Sequence, residues 1–315
     1  MNTNSKKILF FGTDDVSVVA LEALLVSNVN IVGIVTRPDR PSGRKKEIII
    51  SPIKEIAIKN NLKLFQPEKL NLCLNEILAT KPDMILVCSY GKIIPKEIID
   101  YPEYKCLNIH PSLLPKYRGA TPIESAILNC DQFTGVSFMV MSPELDAGPI
   151  IDQIKIKIDS NETGSSLREK IKKIIYEYLT NNLDKLFDKN VKTITQDESK
   201  VVFVSPISRD DKKIDWNKQA KFIDAKIRAL YEKRIAYTLI NNLSIKVYKA
   251  TINNSMNTDN YKCGEIINIS DQGIFVATKD KAICLEQIQL PGKKITFIEQ
   301  IINGNLPFKK GDKFD

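Results

Sequence analysis

The residues best suited to chemistry lie in one stretch, Leu107-Asn108-Ile109-His110-Pro111-Ser112-Leu113-Leu114-Pro115-Lys116-Tyr117-Arg118-Gly119. Asn108 and His110 flank a single apolar residue, so the period of two in a strand sends both side chains to the same side. Pro111 stops the strand and Pro115 stiffens the loop that carries Ser112, Leu113 and Leu114. Gly119 then releases the chain towards a helix near Thr121-Pro122. An amide donor and an imidazole held by a stiff turn suit stabilisation of negative charge on a carbonyl oxygen under attack. A second polar element, Glu144-Leu145-Asp146-Ala147-Gly148-Pro149, places Asp146 in a turn shaped by Gly148 and Pro149. A carboxylate brought to His110 would help it carry away a proton. Structural roles are open to each residue as well. A single histidine at a strand end is commonly a satisfied structural group, and Asp ahead of Gly-Pro is a common turn former.

Other chemistries find less support. His110 is the one histidine of the chain, which excludes a site with two His ligands. Six cysteines, at 73, 88, 106, 130, 263 and 284, lack the Cys-x-x-Cys spacing of a zinc or redox site, so free thiols in a reducing compartment are expected. Phe11-Gly12-Thr13-Asp14-Asp15 follows the first apolar run with one glycine, where a dinucleotide fingerprint needs three. That turn is open to an anion at a helix end or to no ligand at all. The P-loop lysine pattern is absent. Thr36-Arg37-Pro38-Asp39-Arg40-Pro41-Ser42-Gly43-Arg44-Lys45-Lys46 holds five basic residues and one acid, and its prolines and glycine argue against regular structure. It reads either as a phosphate-contacting loop or as a solvated charge run.

These segments need a scaffold, and the hydrophobic pattern supplies one. Apolar runs at 8–11, 31–35, 84–87 and 106–109 read as strands. Between them lie helical spacing at Val16, Val19, Ala20 and Leu24, a helix over 51–59 with Ser51 as cap and Pro52 first, and a short helix at 96–100. Alternation of this kind predicts a doubly wound α/β domain with a parallel sheet. Strands near 136–141 and 150–158 follow, and a helix from about 163 to 187 carries a stripe of Leu167, Ile171, Ile174, Ile175, Tyr178 and Leu179. Residues 188–207 are polar and then extended, which predicts a linker. Beyond it, 214–230 carries Trp216 and a stripe of Phe222, Ile223, Ile227 and Leu230. Short strands at 237–240, 245–250, 264–269, 274–277 and 282–290 then suggest a small barrel, an OB-like one being one solution.

The composition agrees with this class. The 315 residues are 43% hydrophobic and 27% charged, the profile of a globular protein with a sizeable core. No apolar run approaches the roughly 20 residues that span a bilayer, and the run after Lys6 and Lys7 is too short for a signal peptide. Membrane and secreted classes are therefore not expected. Of the net charge of +8, residues 206–315 hold +6, from 19 Lys and Arg against 13 Asp and Glu. Such a basic part either attracts a polyanion such as nucleic acid or is simply a lysine-rich surface.

Several blocks together resemble the folate-dependent formyltransferases. They are Phe10-Phe11-Gly12-Thr13, the loop from Thr36 to Lys46, Ser51-Pro52-Ile53-Lys54, Gln66-Pro67, and Ser89-Tyr90-Gly91-Lys92-Ile93-Ile94-Pro95. The Asn108 to Gly119 block and Leu145-Asp146-Ala147-Gly148-Pro149-Ile150 complete the N-terminal match. Ile214-Asp215-Trp216 and Leu290-Pro291-Gly292-Lys293-Lys294 extend it through the C-terminal part. The basic loop and the C-terminal part make the chain most similar to members of the family that act on tRNA.

The resemblance implies an α/β fold, a Rossmann-like doubly wound and mostly parallel sheet domain followed by a small OB-like β-barrel. It divides the chain into a catalytic domain over 1–188, a linker over 189–207 and a tRNA-binding domain over 208–315. It implies transfer of a formyl group from 10-formyltetrahydrofolate to the amino group of initiator methionyl-tRNA by a cytoplasmic enzyme, expected as a monomer without metal or membrane attachment. Asn108, His110 and Asp146 fall on the family's catalytic residues, with Asn108 and His110 donating hydrogen bonds to the oxyanion and Asp146 orienting His110. Ser112, Leu113, Leu114 and Pro115 fall on the folate-binding block, the region near 87–94 on the pterin pocket, and Arg44 on the loop arginine that meets the tRNA acceptor end. Asp14-Asp15 stands where Pro-Asp is usual, and Tyr231-Glu232-Lys233-Arg234-Ile235-Ala236 departs from a Pro-Trp-Pro-Gly-Ala-like stretch. An acceptor of the amino-sugar nucleotide kind is the nearest alternative, and the basic loop argues against it. A tRNA-binding module with an inactive site is a second, against which stand the three filled catalytic positions.

Overall fold

A computed structural model describes residues 5–42, 47–304 and 306–315. They form two compact units, the first comprising residues 1–122, 134–156 and 168–204 and the second residues 123–133, 157–167 and 205–315.

In the first unit the chain runs β1 (Lys7–Gly12), α1 (Asp15–Val26), β2 (Asn30–Val35), β3 (Arg40–Ser42), β4 (Glu47–Ile49), α2 (Pro52–Lys59), β5 (Leu64–Phe65) and α3 (Leu74–Leu78). It continues with β6 (Met84–Cys88), α4 (Lys96–Ile99), β7 (Cys106–His110) and β8 (Arg118–Gly119). β9 (Phe133–Val140), β10 (Ile150–Lys157), α6 (Gly164–Leu186) and β11 (Phe203–Val204) follow, while the intervening α5 (Pro122–Leu128) and the start of α6 are counted with the second unit. The main sheet has the order β10-β9-β7-β6-β1-β2-β5. From β5 to β7 all pairs are parallel, and β9 lies antiparallel to β7. The sheet is therefore mostly parallel, as expected, with β9 as a reversed strand.

The chain steps outward from β1 to β2 on one side and to β6 on the other. This makes the C-terminal edge beside β1 a topological switch point, where open α/β sheets leave room for ligands. Strands β1 and β6 are buried on both faces and accordingly read as continuous apolar runs. Leu9, Phe11, Val35, Ile85, Val87 and Tyr90 pack on one face of the sheet. Ser51 caps α2 through its hydroxyl, which accepts from the Lys54 amide, and Pro52 opens the helix.

Two local expectations change. Prolines in the 36–46 loop argued against regular structure, yet β3 and β4 pair with Pro41 opposite Ile48. An isolated two-stranded ribbon leaves one side of each strand unpaired, so the missing N–H of Pro41 breaks no ladder. Residues 189–204, read as linker, belong to the first unit, where β11 pairs in parallel with β8.

In the second unit, α7 (Ala220–Ala229) accompanies an antiparallel sheet of β12 (Ala236–Ile240), β13 (Leu243–Asn253), β14 (Ile266–Ser270), β15 (Gly273–Ala277) and β16 (Ala282–Gln289). The strand order is β12-β13-β16-β15-β14, with β17 (Thr296–Phe297) beside β16. The C-terminal residues join the two edges of this sheet. The Phe314 amide donates to Gly264 ahead of β14 at 2.9 Å, and the Asp315 amide donates to Leu239 of β12 at 2.9 Å. This connection gives the sheet its barrel-like character. Trp216 stacks on Phe314 and donates from Nε1 to Thr238 Oγ1 at 2.9 Å, which satisfies its one polar atom in the core. On α7, Ala225 and Ala229 are buried beside Ile223 and Ile227, whereas Phe222, expected in the stripe, is 38% exposed.

Candidate active site

Three of the sequence-selected side chains converge at the C-terminal end of β7. Asn108 and His110 share one side of the strand, and Asp146 reaches them from the turn between β9 and β10. Asn108 Nδ2 donates to Asp146 Oδ1 at 3.3 Å, and His110 Nδ1 stands 3.6 Å from Asp146 Oδ2. The Gly119 amide donates to the same Oδ2 at 2.8 Å. Gly119 has φ +117, and a Cβ there would lie 2.2 Å from the Val204 carbonyl oxygen, so glycine is required for β8 to meet β11 at this spot. The His110 and Asp146 side chains are 6% and 13% exposed, so their interaction is little screened by water.

The other imidazole nitrogen is already committed. His110 Nε2 lies 2.8 Å from the Tyr117 carbonyl oxygen, which can only accept, so Nε2 carries the proton. Nδ1 is therefore the nitrogen that faces Asp146. In the neutral ring it accepts a proton, and it donates only after receiving one.

Ser112 and Leu114 are buried and hold their own turn. The Ser112 hydroxyl donates to Lys116 at 2.6 Å, and Ser137 Oγ donates to the Ser112 carbonyl at 2.6 Å. The Leu114 amide donates to Ser137 Oγ at 3.2 Å, and Gln153 Nε2 donates to the Leu114 carbonyl at 2.9 Å. The Leu114–Pro115 peptide is cis. Leu113 and Pro115 are half-buried and keep surface for contact. The loop after β6 leaves the sheet next to this turn, since Val87 pairs with Asn108 in register. Thr13 Oγ1 and Arg37 Nε both donate to the Tyr90 carbonyl, at 3.3 and 3.2 Å, which ties the ends of β1, β2 and β6 together.

Arg44 lies outside the described residues. The roots of its loop are anchored: Asp39 accepts from Lys54 Nζ, and from Gln66 Nε2 at 2.9 Å. The bond from Lys54, with that from Gln66 second, holds the Asp39 carboxyl below the usual carboxylate range. All six cysteines are free. Cys88, Cys106 and Cys284 are buried, and burial pushes their thiols up and away from reactivity, whereas Cys130 is exposed. No group of His, Cys, Asp and Glu among the described residues could hold a metal ion, and no helix among them is long and apolar enough to cross a membrane.

Two residues that sequence reasoning left without a role stand behind the site. Gln196 Nε2 donates to the carbonyl oxygens of Asp146 and Gly148, both at 2.8 Å. Arg118 Nε and NH2 donate to Gln196 Oε1 at 3.1 and 2.9 Å. A glutamine in a polar stretch carries no local signal of this duty.

Residues 6–183 match the model of the formyl transferase family, and residues 206–306 match that of its C-terminal domain. A methionyl-tRNA formyltransferase from Malacoplasma penetrans is 42% identical over 307 residues, covering 98% of this chain and 96% of that protein. One from Mesoplasma florum is 39% identical over 98% of this chain and 99% of that protein. Among solved structures, a sugar 3N-formyl transferase superposes with a TM-score of 0.65 at 22% identity, covering 92% of this chain and 99% of that one. HypX from Aquifex aeolicus in complex with tetrahydrofolic acid gives a TM-score of 0.64 at 16% identity, over 97% of this chain and 48% of that one.

Proposed function

The chain belongs to the formyl transferase family, and on that premise we propose that it transfers the formyl group of 10-formyltetrahydrofolate to the α-amino group of initiator methionyl-tRNA. The observation that carries this reading is the convergence of Asn108 and His110 on Asp146 at the ligand edge of the sheet. When bound, the folate supplies the formyl group. Leu113, Pro115 and the 88–94 loop would hold it, since half-buried apolar surface beside a loop at the strand ends fits a flat, hydrogen-bonding ring.

The α-amino group has a pKa of roughly 8, so a usable neutral fraction exists near pH 7. Asn108 Nδ2 would donate to the formyl oxygen as negative charge grows there. His110 Nδ1 would take the proton that the amine sheds as its nitrogen bonds to the formyl carbon. Asp146 then faces an imidazolium and balances its charge. His110 would return the proton to the folate nitrogen as the old carbon–nitrogen bond breaks.

Arg44 and the basic C-terminal part over 208–315 would engage phosphates of the tRNA, with the catalytic groups held within 1–188. A cytoplasmic setting follows from a tRNA acceptor.

The test is incubation with 10-formyltetrahydrofolate and methionyl-tRNA, with uncharged tRNA and an amino-sugar nucleotide as controls. Formyl transfer to methionyl-tRNA alone is expected. Transfer to the sugar nucleotide alone would move the chain to the other branch of the family.

A further inference from the structure

Asp146 occupies a demanding position. Its φ is +49, a left-handed conformation that an L-residue adopts at a cost and keeps only when its surroundings hold it there. Four hydrogen-bonding sites are available on a glutamine amide, and Gln196 uses them all. Its two N–H groups hold the carbonyls of Asp146 and Gly148, and its oxygen receives two N–H groups of Arg118. Gln196 is 6% exposed and Arg118 2%, so neither exchanges these partners for water. Glu198 takes the remaining reach of the guanidinium, accepting from NH1 at 3.2 Å and NH2 at 2.7 Å.

The connections close on themselves. Gly119, next to Arg118 on β8, holds the Asp146 carboxylate from the front, while Arg118 holds it from behind through Gln196. The segment that carries Gln196 runs on into β11, which pairs with β8 at Arg118 and Gly119. We propose that Gln196, braced by Arg118, is a positioning residue that fixes the Asp146 carboxylate against His110 and Asn108 during formyl transfer. This rests on the assignment of those three as the catalytic groups. A displacement of about 1 Å in such a group can cost roughly 10²-fold in rate. The 3.6 Å between His110 Nδ1 and Asp146 Oδ2 leaves little to spare.

Gln196→Glu keeps the side-chain shape and the acceptor for Arg118, and it replaces Nε2, with both its N–H groups, by one oxygen that opposes the two carbonyls. It is expected to lower kcat roughly 10- to 100-fold with KM for both substrates within about twofold. Placed in an Asp146→Asn background, the same substitution should cost less than about twofold, because the group it positions is already disabled. Arg118→Lys gives a second route if Gln196→Glu does not fold: it keeps the charge, loses the fork, and should show the same loss of kcat that disappears with Asp146→Asn. Wild-type kcat in Gln196→Glu, or a loss undiminished in the Asp146→Asn background, would overturn the proposal. A fully active Asp146→Asn enzyme would instead overturn the catalytic assignment on which it stands.

Discussion

At the scale of single residues the site works by removing alternatives. The Tyr117 carbonyl takes His110 Nε2, which leaves Nδ1 as the ring nitrogen that faces Asp146. Asn108 Nδ2, which donates to Asp146 Oδ1 at 3.3 Å, can turn towards a stronger acceptor when one develops. Asn108→Ala should lower kcat by about 10²–10³ with tRNA affinity unchanged, as loss of one oxyanion donor does. Steady-state kinetics beside a tRNA-binding titration checks the split. Much of this was legible in the sequence, because strand alternation alone sends Asn108 and His110 to one side. What alternation cannot give is which ring nitrogen is free. That depends on Tyr117, seven residues on and turned back by a φ of +64. Nor can it give Gln196, whose duty exists only once β11 has found β8 more than eighty residues away.

At the scale of elements, the ligand edge is built from strand ends tied to one another. Ser51 caps α2 and also lies 3.2 Å from Thr36 Oγ1, at the root of the basic loop. Ser51→Ala should cost about 1 kcal/mol of stability, the usual worth of such a cap, read from the urea midpoint. Asp39 secures the same root through Lys54 and Gln66. Its carboxyl ionises at lower pH folded than unfolded, so its contribution is full above the unfolded value of about 4 and vanishes as pH falls through the folded one. Asp39→Asn should therefore lower Tm at pH 7 and narrow the difference in Tm between pH 7 and pH 3, both measured by calorimetry.

The elements themselves were largely legible, since the buried strands are continuous apolar runs and Ser51-Pro52 marks its helix. The reversed direction of β9 was not. Strand direction follows from the connection through residues 111–132, and no periodicity encodes it. Phe222 shows the same limit, because a helical stripe tells which residues share a face but not where the buried part of that face ends.

At the scale of the whole molecule, charge supplies the reach that a macromolecular acceptor requires. Residues 206–315 hold +6 of the net +8, and the 36–46 loop adds five basic residues. Binding of methionyl-tRNA should weaken steeply with salt, log K falling linearly with log salt concentration. Arg44→Ala should reduce that slope by about one while sparing affinity for folate. Binding titrations from 50 to 200 mM salt, roughly the range over which such contacts are lost, check both.

The central claim is that His110, held by Tyr117 and faced by Asp146, moves the proton that lets an amine take a formyl group. Single-turnover transfer of labelled formyl from 10-formyltetrahydrofolate to methionyl-tRNA, by wild type and by His110→Ala at saturating substrates, tests it most directly. The account predicts label on the tRNA with wild type and a rate at least about 10²-fold lower for the variant. Equal rates from the two proteins would contradict it.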